Sequence, residues 1–122
     1  MGGRVITSLR LGLLVTAAAF LLVACSSGGG REIEIVASNE GCTPVRLAAA
    51  TNEKLTFVVK NQANGDRELE GVEGTKLEEV LIPAGRTRKI NHTTPKQATT
   101  EKLKCYIPGG PSTIIDLEIS AP

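Results

Sequence analysis

Short runs in which apolar and polar residues alternate, each stopped by Gly, Pro or Asn, set the terms for this chain. Glu32-Ile33-Glu34-Ile35-Val36 alternates as a half-buried strand does. Val45-Arg46-Leu47 continues that style after Pro44, and Leu55-Thr56-Phe57-Val58-Val59-Lys60 is rich in β-branched residues and stops at Asn61. Arg67 to Glu70 reads as a short polar strand or loop, and Leu77 to Ile82 as a strand ending at the Pro83-Ala84-Gly85 turn. Arg86 to Asn91, Glu101 to Ile107 and Thr113 to Ser120 follow, the last two separated by Pro108-Gly109-Gly110-Pro111. No helical periodicity persists beyond two turns. About eight short strands at a spacing of roughly 8–12 residues predict an all-β chain, an antiparallel sandwich or barrel.

The N-terminus belongs to a different regime. Arg4 and Arg10 give a basic start, and Leu11 to Ala24 form an apolar stretch shorter than the ~20 residues a spanning helix needs. The stretch ends at Leu22-Val23-Ala24-Cys25, which reads as a lipobox. The expectation is a lipoprotein signal peptide over residues 1–24 that is cleaved, a lipid on the Cys25 thiol, a Gly/Ser tether over 25–31, and one domain over 32–122. That places the protein at the cell membrane, lipid-anchored on its extracytoplasmic face.

Composition then narrows the function classes. The whole chain has 14 basic and 13 acidic residues, and loss of Arg4 and Arg10 with the leader leaves a slight acidic excess. No basic face for nucleic acid follows. Phe57 and Tyr106 are the aromatics beyond the leader, so stacking platforms for sugars or single strands are missing. No nucleophile constellation is legible and no phosphate-cradling Gly motif occurs outside the tether, so an enzyme is not expected.

Four groups of residues could carry chemistry. Cys42 and Cys105 are two cysteines in a small extracytoplasmic domain, where a disulfide is the ordinary outcome, contributing on the order of 3–4 kcal/mol. The alternative keeps both as thiolate metal ligands. Asp66, Glu68, Glu70, Glu73, Glu78 and Glu79 crowd one segment opposed by Arg67 and Lys76. Glu68 and Glu70, two apart, share one face of a strand, where they chelate a cation or form a solvated acidic edge. His92 reads as a solvated histidine in a polar turn. Arg86 and Arg88 share a face and, with Lys89, form a basic patch suited to the acidic segment or to a docking partner.

The order of these features resembles a cupredoxin: a first strand leading to Cys42-Thr43-Pro44, then Leu55 to Asn61, Pro83-Ala84-Gly85, and a late cysteine followed by Pro-Gly. Within that group it looks most like the cupredoxin-like domain of Efe-type periplasmic iron-uptake proteins. That likeness is carried by Cys42 with Pro44, Glu68-Leu69-Glu70, Leu77-Glu78-Glu79 through Ile82-Pro83-Ala84-Gly85, and Cys105. It implies a Greek-key β-sandwich of about seven or eight strands over nearly all of residues 32–120. It also implies a metal site built from Cys42, Glu68, Glu70 and Cys105, with iron or copper as the ion, and a metal permease or a second periplasmic metal-handling protein as partner. A type 1 blue-copper centre is not expected, because it takes two His, a Cys and usually an axial Met. This chain has one His, and its one Met is Met1. Two readings therefore stand: an envelope metal-binding lipoprotein for uptake or trafficking, or a lipoprotein clamped by a Cys42–Cys105 disulfide that serves structure or interaction without metal.

Overall fold

A computed structural model describes residues 2–3 and 30–122. The lipobox, Cys25 and most of the tether lie outside the described residues. The domain is all-β, with nine strands and no helix among the described residues. They are β1 (Arg31–Ala37), β2 (Cys42–Thr43), β3 (Arg46–Ala50), β4 (Lys54–Asn61), β5 (Arg67–Val72), β6 (Val80–Ile82), β7 (Thr87–Thr93), β8 (Thr99–Tyr106) and β9 (Ser112–Ser120). They form two sheets, one ordered β2-β1-β4-β7 and the other β3-β9-β8-β5-β6.

Alternation explains how the sheets face each other. Ile33, Ile35 and Ala37 of β1 point inward, as do Leu103 and Cys105 of β8 and Ile115, Leu117 and Ile119 of β9. With Phe57, Val59, Leu69 and Ile82 they make one core. Successive side chains of a strand leave on opposite faces, so one inward set per strand suffices to close a sandwich.

Two features depart from the sequence expectation. The sandwich is not wholly antiparallel: β1 pairs with β4, and β3 with β9, in parallel. The chain crosses to the second sheet through β3 and then returns, so β4 re-enters the first sheet running the same way as β1. The expected strand over 77–82 is also shorter. Glu73 has φ 53° and Gly74 φ 89°, which re-aims the chain after β5. The Leu77 carbonyl then accepts from Gly71 N–H at 2.9 Å, in place of a ladder bond. Gly71 permits this approach, because a Cβ there would lie 2.3 Å from the Thr75 carbonyl oxygen. Asn52, in the turn before β4, takes φ 54°, a left-handed conformation that Asn tolerates better than most residues.

Polarity along β1 defines two poles. Arg31 stands beside Leu55 and Ala37 beside Asn61, so the start of β1, where the tether enters, lies at one pole. Ala37 also pairs with Cys42, so the cysteine lies at the other pole, about 20 Å away at ~3.3 Å per residue.

Candidate functional site

Cys42 and Cys105 meet at the pole distal to the tether. Cys42 belongs to β2 in one sheet and Cys105 to β8 in the other, and the two are joined by a disulfide with Cα atoms 6.3 Å apart. The bond thus crosses the sandwich. Both cysteines are buried. Cys105 faces inward opposite Leu69, and the Cys42 amide donates to Thr113 Oγ1 at 3.2 Å.

Glu68 and Glu70 do not join them. Leu69 between them is fully buried, so the flanking carboxylates leave β5 on its outer face while Cys105 looks inward. They do share a face, and a protein cation already pairs with Glu70. Glu70 stands opposite Lys104 and its Oε1 lies 3.9 Å from Nζ, while Glu68 stands opposite Tyr106. The same ammonium lies 4.4 Å from the centre of the Tyr106 ring. The four residues implied as a ligand set are therefore separated, with the two sulfurs between the sheets and the two carboxylates on the outer face of the β5–β8 sheet. Among the described residues no group of three or more His, Cys, Asp or Glu side chains converges to hold a metal ion.

The outer face has its own polar feature. The Tyr106 hydroxyl donates to the Glu79 carboxylate. That bond, with burial and Glu68 adding to it, pushes the phenol above its ordinary value. Arg86 and Arg88 are exposed on the other sheet and do not reach the acidic segment, while Lys89 pairs with Glu32 at 2.8 Å.

His92 is not a solvated turn residue. It lies in β7, is buried, and its Nε2 meets Glu101 Oε1 at 2.7 Å, with the two side chains 4% and 11% exposed. Its ring stacks on Phe57 with centroids 5.9 Å apart. β7 and β8 belong to different sheets, so this pair is a second cross-sheet link. His92 stands beside Leu55, which places it at the tether pole, far from Cys105.

Arg67 is the buried charge that composition concealed. In the sequence it reads as a counter-charge within an acidic run. In the structure it is 5% exposed, facing inward at the distal pole. Its Nη1 donates to the carbonyls of Gly65 (3.2 Å) and Asp66 (2.9 Å), and Nη2 to that of Ser38 (3.2 Å). The available signal was strand parity: Arg67 is two residues before the core residue Leu69 and so shares its face. A cavity of about 200 Å³ lies here, lined by Arg67, both cysteines, Asn39, Glu40 and Ser112 among others.

No protein-family model matches this sequence, and no curated protein matches it. Solved structures do. The solution structure of a copper binding protein in the apo form superposes with a TM-score of 0.59 at 16% identity, covering 76% of this chain and 90% of that one. Auracyanin B gives 0.59 at 15% identity over 75% and 96%. Auracyanin from Roseiflexus castenholzii gives 0.59 at 18% identity over 78% and the whole of that chain. At such identities the likeness speaks for the fold: the described domain is a β-sandwich of the cupredoxin type.

Proposed function

We propose that this protein is a lipid-anchored binding module of the cell envelope, closed by the Cys42–Cys105 disulfide, which offers its distal pole to a ligand or partner and catalyses nothing itself. The observation that carries this reading is the position of the disulfide. It locks the two sheets together beside a cavity, at the end of the domain away from the tether. A disulfide belongs to an oxidising compartment, which agrees with a lipobox at Cys25. A tether attached at Gly30 leaves that pole turned away from the membrane.

The residues present do not fit a type 1 copper centre. The one histidine is engaged by Glu101 at the opposite pole, and the one methionine is Met1. A second reading is favoured by the copper named for one fold neighbour and by two sulfurs already in one place. In it, Cys42 and Cys105 are reduced and their thiolates carry a soft ion such as copper in envelope trafficking, handed to a permease or a second periplasmic protein. Iron drawn by Glu68 and Glu70 is less well supported, because those carboxylates occupy the other face of the sheet.

The test is a thiol titration with metal analysis on the same sample, using full chain recovered from the envelope under non-reducing conditions. The expected result is that Cys42 and Cys105 do not react and that no metal copurifies in proportion to protein. Reactive thiols at both positions with an equivalent of metal would replace the clamp with the metal carrier.

A further inference from the structure

We propose that the distal cavity binds a small carboxylate, anchored by Arg67, and that Glu40 selects ligands carrying a cationic group beside that carboxylate, the chemistry of a free α-amino acid. This rests on the reading of the distal pole as a binding surface.

A guanidinium stays ionised in a protein. Arg67 is almost wholly buried, and among the described residues no carboxylate lies within ion-pair distance of it. Buried charges are normally paired. Three backbone carbonyls orient the group, but dipoles do not neutralise it. A guanidinium has five N–H donors. Two remain after those three bonds, one on Nη2 and one on Nε, adjacent nitrogens that can take both oxygens of a carboxylate. The loop-tying role of Arg67 explains three donors and leaves these two, in a side chain that lines a cavity of about 200 Å³.

The second charged group of the lining decides the ligand class. Glu40 lines the same cavity, with its Oε2 accepting from Ser38 Oγ at 3.0 Å. A dianion such as phosphate gains Arg67 but meets Glu40. A plain carboxylate gains Arg67 alone. A zwitterion is complementary to both, with its carboxylate on Arg67 and its ammonium towards Glu40. The remaining lining groups, such as Asn39, Ser112 and Thr113, are small or neutral, which suits a compact ligand.

The experiment is a titration of the full chain in detergent micelles with glycine, acetate, methylamine and inorganic phosphate at matched ionic strength. The Arg67 Nε–H resonance and the unfolding midpoint are read together. Glycine is expected to shift that resonance saturably and raise the midpoint, acetate to do so more weakly, and methylamine not at all. Glu40→Gln should weaken glycine about threefold, the scale of one rim ion pair, and should strengthen acetate slightly, since it removes a like charge from the lining. Arg67→Gln should abolish both responses. Because Arg67 also ties loops, Ser112→Phe, an exposed lining position, gives a second variant that should block glycine while the domain keeps its melt. An Nε–H resonance indifferent to all four probes, a stronger response to phosphate, or an undiminished glycine response in Ser112→Phe would overturn the site. A flat titration with the disulfide intact removes only the amino-acid site, whereas reactive thiols at Cys42 and Cys105 remove the clamp itself.

Discussion

Tyr106 is the one tyrosine of the chain, so its ionisation can be followed without ambiguity. Its hydroxyl donates to Glu79, and ionisation would break that bond and set a phenolate against a carboxylate. The folded state therefore holds the proton more tightly than the unfolded chain does. A group raised in this way contributes its stability below its unfolded value and loses it as pH rises through the folded one. Tyrosinate absorbance should accordingly rise at a higher pH than the ordinary value of about 10 in native protein, and return towards it in Glu79→Gln. Coincident titrations in the two proteins would contradict the bond. His92 presents the opposite case, a buried pair. Truncating it leaves the Glu101 carboxylate nearly enclosed without a partner, which should cost about 3–5 kcal/mol. Replacing both residues by leucine should cost much less, and a double-mutant cycle in denaturant measures the difference.

At the scale of elements, the junction between β4 and β5 depends on one side chain. Asn61 closes β4 and is 2% exposed. Its Nδ2 donates to the Gly65 and Ile82 carbonyls, both at 2.9 Å, and its Oδ1 accepts from Ala63 N–H at 3.0 Å. One amide thus fixes the 62–66 loop and ties it to β6. That loop supplies two of the three carbonyls on Arg67, so the geometry of the cavity depends on Asn61. Asn61→Ala should lower stability by about 2–3 kcal/mol, through buried groups left without partners. It should also speed amide exchange at Ala63 more than at the middle of β4. Uniform acceleration along β4 would show that the residue supports the sheet generally rather than the loop.

For the whole molecule, two of the cross-sheet links stand at opposite poles: the disulfide at the distal end, the His92–Glu101 pair near the tether. The disulfide spans 63 residues of sequence, and closing a loop of that length contributes about 4 kcal/mol on the chain-entropy model. Reduction, or Cys42→Ala with Cys105→Ala, should lower the denaturant midpoint accordingly. Exchange protection should fall first around β2 and the 108–111 turn, while the His92 end holds. Equal loss at both poles would mean that the sandwich opens as one unit and that the poles are not separately clamped.

How much of this was legible in the chain follows from the range of each interaction. Strand period and turn residues are local, so the β-sandwich, most strand positions and the shared face of Glu68 and Glu70 could be read directly. Periodicity carries no sign for parallel or antiparallel pairing, so the parallel partners of β1 and β3 could not. The alternation over Leu77 to Ile82 reads as strand from its first residue, but the backbone turn at Glu73-Gly74 and the Gly71–Leu77 bond leave Val80–Ile82 alone in the sheet. The distant pairings other than the disulfide were hidden. His92 and Glu101 meet only because two sheets stack, and Tyr106 and Glu79 only because β8 and the approach to β6 flank β5 in one sheet. The sequence by itself determined the alternation that puts Leu103 with Cys105, and Ile115, Leu117 and Ile119, on one strand face, and that two cysteines were available to one small domain. Only the tertiary structure decided that the carboxylates lie on the far side of the sheet from the sulfurs. It alone placed a buried guanidinium, with no carboxylate partner among the described residues, beside the disulfide, because faces and poles are properties of packed sheets rather than of the chain.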